Sequence, residues 1–182
     1  MFAVTDRLLL RPGWMEDAPA LHQAIADEEI VRNLASAPWP YRLADAEAFL
    51  ASEPKPQDVS LVIFRRTHGA PRLVGAIGFA RKASGETELG YWIARPYWGL
   101  GFATEAGHAI VAMAQNSLRV DTLTAGHFVD NPASGRVLHK LGFRPTGTIA
   151  MRYSAGRGAA APSRLFELRL REETEDPVAI AA

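Results

Sequence analysis

Apolar residues recur along this chain with two different periods, and each change of period marks an element. Leu8, Leu9 and Leu10, between Arg7 and Arg11, read as a short buried strand. Residues 16–27 carry Leu21, Ala24 and Ile25 at helical spacing, and residues 27–34 continue as a second short helix through Ile30, Val31 and Leu34. Pro38-Trp39-Pro40 breaks that helix, because proline has no N–H and disfavours helical geometry in the residue before it. Residues 43–52 return to the helical period through Ala46, Phe49 and Leu50, and Pro54-Lys55-Pro56 ends them.

The middle of the chain is strand-like. Residues 59–66 are apolar and β-branched, His68-Gly69-Ala70-Pro71 is a turn, and residues 73–80 form the next strand. Gly75 and Gly78 within it suit a bulge or a close approach. Ser84-Gly85 leads into residues 86–93, and connections this short predict antiparallel neighbours. A helix over residues 104–118 puts Ala106, Ile110, Met113, Ala114 and Leu118 on one face, as expected of a helix packed on a sheet. Residues 122–129 alternate Leu123, Ala125, His127 and Val129 on one face of a further strand. The next helix is punctuated by Asn131 as N-cap, Pro132 at the first position and Gly142 just past the end. Residues 149–153 and 164–170 read as the last two strands, with residues 154–162, rich in Gly and Ala, as a mobile loop. Residues 1–170 are expected to form a single domain and residues 171–182 an acidic, weakly ordered tail. The fold class is α+β: a mixed, mostly antiparallel central sheet of about seven strands with helices on both faces.

Composition narrows the function. A chain of 182 residues can bury a sizeable core. With 20 basic and 20 acidic residues the net charge is zero, which implies neither nucleic acid nor an anionic membrane as partner. There is no cysteine, hence no disulfide and no thiolate chemistry. No signal-like or membrane-spanning run is visible, so a cytoplasmic location is expected. No His, Asp or Glu cluster has metal-ligand spacing, so no metal is expected.

The stretch around which the chemistry gathers is Arg95-Pro96-Tyr97-Trp98-Gly99-Leu100-Gly101-Phe102-Ala103-Thr104-Glu105-Ala106. It lies between a strand and a helix. A glycine-rich loop there gathers free N–H groups at the positive end of the helix dipole, which favours a phosphate. Gly99 and Gly101 have no Cβ to keep a phosphate from the main chain, although a tight turn needs glycine too. The dinucleotide pattern G-x-G-x-x-G fails because position 104 is Thr, and the Gly-Lys-Ser/Thr ending of a phosphate loop is absent.

Residues 98–106 resemble the acyl-CoA pyrophosphate loop of the GNAT N-acetyltransferase superfamily, whose pattern Gln/Arg-x-x-Gly-x-Gly/Ala maps onto Trp98, Gly101 and Ala103. Trp in the first position is similar to the RimJ/RimL-like branch. Two further stretches agree, Thr5-Asp6-Arg7-Leu8-Leu9-Leu10-Arg11-Pro12 and residues 131–143, from Asn131 to Phe143. The resemblance implies transfer of an acetyl group from acetyl-CoA to a primary amine, a protein N-terminus or a small molecule, by direct attack in a ternary complex. A homodimer is possible. The alternative is a non-catalytic acyl-CoA-binding or sensing domain on the same fold.

The resemblance also implies site residues. The main chain of Trp98, Gly99, Leu100, Gly101, Phe102, Ala103 and Thr104 would surround the pyrophosphate. Trp92 and Ile93 would bond the pantetheine amides, in a gap between their strand and residues 122–129. Asn131 would contact the pantetheine arm, and Ser134, with Asn131 otherwise a capping residue, would lie near the sulfur. Many members place a Tyr four positions after Ser134 as the acid, where this chain has Leu138. Arg95, Arg136 and Lys140 could pair with phosphates or simply form a solvated charged face. For the base, Glu88 lies where related enzymes often place a carboxylate, with Glu86 on the same face. An edge-strand carboxylate is the plain alternative. His127 is the runner-up, and a lone His on an apolar face is commonly a packing residue.

Overall fold

The computed structural model describes residues 1–53 and 55–171, so the expected tail lies outside the described residues apart from Arg171. Among these described residues, eight strands form one sheet: β1 (Ala3–Val4), β2 (Leu8–Arg11), β3 (Val59–Arg65), β4 (Arg72–Arg81), β5 (Thr87–Ile93), β6 (Thr122–Phe128), β7 (Arg144–Ser154) and β8 (Ala159–Arg169). Their order is β1-β2-β3-β4-β5-β6-β8-β7, and every pair is antiparallel except β5 with β6. The strand beyond the expected count is the two-residue β1.

Among the described residues, five α-helices cover the sheet: α1 (Ala18–Ile25), α2 (Glu28–Val31), α3 (Leu43–Ala51), α4 (Phe102–Asn116) and α5 (Pro132–Lys140). The layers follow from β3. Its Leu61 and Ile63 join Ile110 and Ala114 of α4 and Leu138 of α5 in one cluster. Its Val62 and Phe64 join Leu21 of α1, Ile30 of α2 and Ala46 of α3 in the other. A strand covered on both faces needs apolar side chains at successive positions, which is why this segment reads as a continuous apolar run.

Three boundaries differ from expectation. The first helix starts as a 3-10 turn over Met15–Asp17, and Asp17 leaves the helix to bind Arg11 at 2.7 Å and the Trp14 N–H. Pro19 then fits the first turn of α1, where its missing N–H costs nothing. Strand β7 begins at Arg144, well before residue 149, because an outermost strand tolerates Pro145 and the left-handed Gly147 that obscure it in the sequence.

The third difference concerns residues 154–162. Instead of a mobile loop they make a tight turn and the start of β8, and the turn is pinned to the chain after α2. Ser154 is fully buried and donates to the Leu34 carbonyl at 2.7 Å. The Ala155 N–H donates to the Ala35 carbonyl at 2.9 Å. Arg157 donates to the Arg32 carbonyl and, at 2.8 Å through each terminal nitrogen, to Asp130. Small residues here permit close approach: a Cβ on Gly156 would lie 2.6 Å from the Val31 carbonyl oxygen.

Close approach also explains β4. Gly78 and Gly90 face each other in register, yet a Cβ on Gly78 would come within 2.1 Å of the Val59 carbonyl oxygen and one on Gly90 would meet nothing. Gly78→Ala is therefore expected to cost about 2–4 kcal/mol by overpacking against backbone, and Gly90→Ala less than about 0.5 kcal/mol. Urea denaturation of the two variants checks this. Equal midpoints would contradict it.

Candidate active site

The strand β5 ends in a 3-10 turn, Arg95–Tyr97, and α4 starts at Phe102. Gly99 and Gly101 between them have φ of 77° and 83°, left-handed values that favour glycine. The indole N–H of Trp98 donates to the Ile93 carbonyl at 2.6 Å and folds the loop back on its strand. Among the described residues, the N–H groups of Gly99, Leu100, Gly101, Phe102, Ala103 and Thr104 donate to no protein acceptor, and the first amide of α4 to find one is Glu105, at 3.0 Å from the Gly101 carbonyl. A helix ordinarily leaves four such donors, and an acidic side chain in its first turn often caps one.

Glu105 does not cap. Its carboxylate accepts from Thr5 Oγ1 at 2.5 Å, from the Arg7 N–H at 2.9 Å and from Arg7 Nε at 2.7 Å. Arg7 also donates to the Leu100 carbonyl at 3.0 Å, and its guanidinium lies 4.8 Å from the centre of the Phe102 ring. Burial raises the Glu105 pKa, but the bonds from Thr5 and Arg7 outweigh it and hold the carboxyl below its usual range. The Thr5–Pro12 stretch and the glycine loop, far apart in sequence, are thus one structure.

Beside the loop the sheet opens. Strands β5 and β6 pair only over Thr87–Leu89 and Leu123–Ala125, and beyond that Gly90–Ile93 has no partner on β6. The Ala94 N–H bonds the Val74 carbonyl, so by the alternation of an antiparallel ladder Trp92 also turns its main chain to β4. Tyr91 and Ile93 are the residues whose main chain faces the gap. This corrects the expectation for Trp92, whose side chain packs with the α1–α3 cluster. At the mouth of the gap is a cleft of about 240 Å³ lined by Trp98, Asn131 and Arg136, and also by Glu29, Arg32 and Asp130, which the sequence reading passed over.

Asn131 caps α5 by accepting from the Ser134 N–H at 3.4 Å. Ser134 Oγ lies 2.8 Å from the hydroxyl of Tyr91, a residue the sequence reading also missed. The signal for it was the period of two, which places Tyr91 on the α4–α5 face with Leu89 and Ile93. Leu138 is fully buried in that core. Of the three expected phosphate partners, Arg136 lines the cleft, Arg95 is tied to Asp27 at 3.4 Å, and Lys140 lies in the last turn of α5, about 12 Å along the axis from Pro132.

Both candidate bases are engaged elsewhere. Glu88 is no edge residue: it is ion-paired with Lys82 and with Arg152, which reaches it from β7 across Gly126. Burial raises its pKa, but the hydrogen bonds and charges of Arg152 and Lys82 outweigh that and hold it below the usual range, which weakens it as a proton acceptor. Glu86 is exposed and accepts from Ser84. His127 donates through Nδ1 to the Phe128 carbonyl at 2.8 Å, since a carbonyl can only accept. Its ring lies 5.5 Å from that of Phe166 and so close under α5 that a Cβ on Gly135 would be 2.6 Å from Nε2. It is a packing residue. Among the described residues no His, Asp or Glu cluster is arranged to hold a metal, and no helix is long and apolar enough to cross a membrane.

Solved structures that share this fold include acetyltransferases. The GNAT-family acetyltransferase from Bacillus anthracis matches with a TM-score of 0.80 at 21% identity, covering 94% of this chain and 100% of that one. RimL, the ribosomal L7/L12 alpha-N-protein acetyltransferase in complex with coenzyme A, matches at 0.75 and 17% identity, covering 93% and 98%. These likenesses show the fold. A model of the acetyltransferase (GNAT) domain matches residues 7–144. The chain belongs to the GNAT family of acetyl-CoA-dependent acetyltransferases. Among curated relatives it is similar to the uncharacterized N-acetyltransferase YoaA of Bacillus subtilis, 32% identical over 80% of this chain and 84% of that one. The uncharacterized N-acetyltransferase p20 of Bacillus licheniformis is 28% identical over 92% and 96%.

The Glu88 clamp has a pH signature. Its folded pKa is below its unfolded value of about 4.3, so the stabilisation is present above that value and lost as pH falls through the lower folded one. Glu88→Gln is expected to lower Tm at neutral pH and to flatten the fall of Tm as the pH drops below about 4.3. Parallel Tm curves for variant and parent would contradict it.

Proposed function

We propose that the protein moves an acetyl group from acetyl-CoA to a primary amine by direct attack in a ternary complex. The observation that carries this reading is the run of unpaired N–H groups from Gly99 to Thr104, fixed at the mouth of the gap between β5 and β6. A diphosphate fits that cradle: two left-handed glycines leave the approach open and the dipole of α4 favours negative charge. When bound, acetyl-CoA supplies a thioester carbon for attack and a sulfur that can leave with an electron pair.

The chain's own residues do the rest. Arg136, at the cleft, adds positive charge beside the phosphates. The N–H groups of Tyr91 and Ile93 turn to the gap, where they bond the pantetheine arm and polarise the thioester carbonyl. Asn131 and Ser134 present polar groups from the start of α5. With Glu88 clamped and His127 packed, the proton of the attacking amine passes to water.

For the acceptor, two kinds of relative support two classes. RimL and the ribosomal-protein-S5-alanine acetyltransferase from Vibrio fischeri act on ribosomal proteins, which favours a protein N-terminus and the RimJ/RimL-like branch. The microcin C7 self-immunity acetyltransferase MccE, solved with acetyl-CoA and AMP, favours a small molecule. The cleft between α2 and α5 has both signs of charge, from Arg32 and from Glu29 and Asp130. We place the protein in the cytoplasm, where acetyl-CoA is made and used.

Calorimetric titration with CoA is expected to show one site per chain, and a panel of amines and N-terminal peptides to show release of free thiol with at least one member. Gly101→Asp puts a carboxylate among the amides and is expected to weaken CoA binding at least about 30-fold. CoA binding unchanged in Gly101→Asp would overturn the cradle. Intact binding with silence across the panel would overturn the acceptor class.

A further inference from the structure

Ser134 carries a hydroxyl in the first turn of α5, where position 138 is Leu rather than Tyr, and the fold brings a phenol to that hydroxyl from another element. Tyr91 projects from β5, and its hydroxyl lies 2.8 Å from Ser134 Oγ and 3.1 Å from the Ser134 carbonyl. Ser134 Oγ has no other partner among the described residues. Tyr91 is also one of the two residues whose main chain faces the gap. A single residue therefore borders the gap with its main chain and reaches the Ser134 hydroxyl with its side chain.

We propose that Tyr91 is a positioning residue for the leaving group: its O–H donates to Ser134 Oγ and so turns the Ser134 hydrogen into the gap, toward the departing sulfur. This rests on the acetyl-transfer reading above. The hydroxyl pair has two settings. In one, Ser134 donates to the phenol and the phenol to the Ser134 carbonyl. In the other, the phenol donates to Oγ and the serine hydrogen is free. Negative charge in the gap selects the second. Without the phenol, a serine in the first turn of a helix turns back to bond nearby backbone.

The step balances without a proton leaving either hydroxyl. The amine nitrogen forms its bond to the acyl carbon, the carbon–sulfur bond breaks, the electron pair goes with sulfur, and the amine proton goes to water. Burial pushes the Tyr91 phenol up to about 12, against the bond with Ser134, so it stays a neutral donor at any working pH. Two hydroxyls in series stabilise the thiolate as hydrogen-bond donors.

The test uses the whole protein, with Tyr91→Phe, Ser134→Ala and the double variant. In each single variant kcat for acetyl transfer is expected to fall about ten- to a hundredfold with KM for acetyl-CoA changed less than about twofold, and the double variant to be no slower than Ser134→Ala. The second readout needs no turnover: the ultraviolet absorbance of bound CoA, followed against pH. The thiol is expected to ionise at lower pH on the parent than on either single variant, and alike on the two variants. Multiplying kcat losses, or a thiol titration in Ser134→Ala that matches the parent, would overturn the proposal, the latter even if Tyr91→Phe failed to fold. Loss of CoA binding by the parent itself would strike the cradle reading instead.

Discussion

The site depends on where one carboxylate goes. Glu105 stands in the first turn of α4, where an acid normally offsets the helix dipole and accepts from the orphan amides. Here Thr5 and Arg7 draw it aside, and Arg7 takes the Leu100 carbonyl as well. The Arg7 side chain is half exposed, so its ion pair with Glu105 contributes only about 0–1 kcal/mol, and the bonds from Thr5 and Arg7 act together to hold a loop with two residues in left-handed geometry. The result is a helix start whose donors stay unspent on the protein. A motif at the N-terminus and a motif at the chain's centre serve one end: they keep the positive pole of α4 bare and rigid.

The second constraint is topological. Strand β5 is tied along its length to β4 but to β6 only at its beginning. That joint is the one parallel pair in the sheet, with α4 as its connection. A parallel pair joined through a helix has no hairpin to hold its far end closed. The unpaired main chain of Tyr91 and Ile93 follows directly, and the bare amides of α4 lie at the same end. Elsewhere the turn of β7 and β8 is fastened by Ser154 and Arg157 to the chain after α2. The gap is thus a product of strand order rather than of any residue within it.

Charges near the gap are largely neutralised by one another. Glu88 faces Lys82 and Arg152, Asp130 faces Arg32 and Arg157, and Arg95 faces Asp27. Such pairs organise the walls and leave the polar groups of the gap itself neutral: main-chain amides, the Ser134 hydroxyl and the Tyr91 phenol. Chemistry built from neutral donors works by stabilising charge as it develops, which is the larger contribution in acyl transfer generally.

By itself the sequence determined most of the elements and the glycine-rich junction between β5 and α4. Periods of 2 and 3.6, proline breaks and the Asn131-Pro132 start of α5 are local signals, and Gly99 and Gly101 announce a tight strand–helix junction because few other residues adopt their φ. What only the tertiary structure decided is how distant residues share their hydrogen bonds. The pairing of Glu105 with Arg7, of Glu88 with Arg152 across Gly126, and of Tyr91 with Ser134 joins residues from 43 to 98 positions apart. The same holds for Trp92, which sequence places beside the gap and strand alternation turns away from it. The turn at residues 154–158 reads as slack because glycine and alanine are flexible alone, yet they are small for a different reason, to let Val31 and Leu34 come close. Local composition fixes what a backbone can do. Packing partners fix what it does, because a buried donor or acceptor must find its mate wherever the fold puts one.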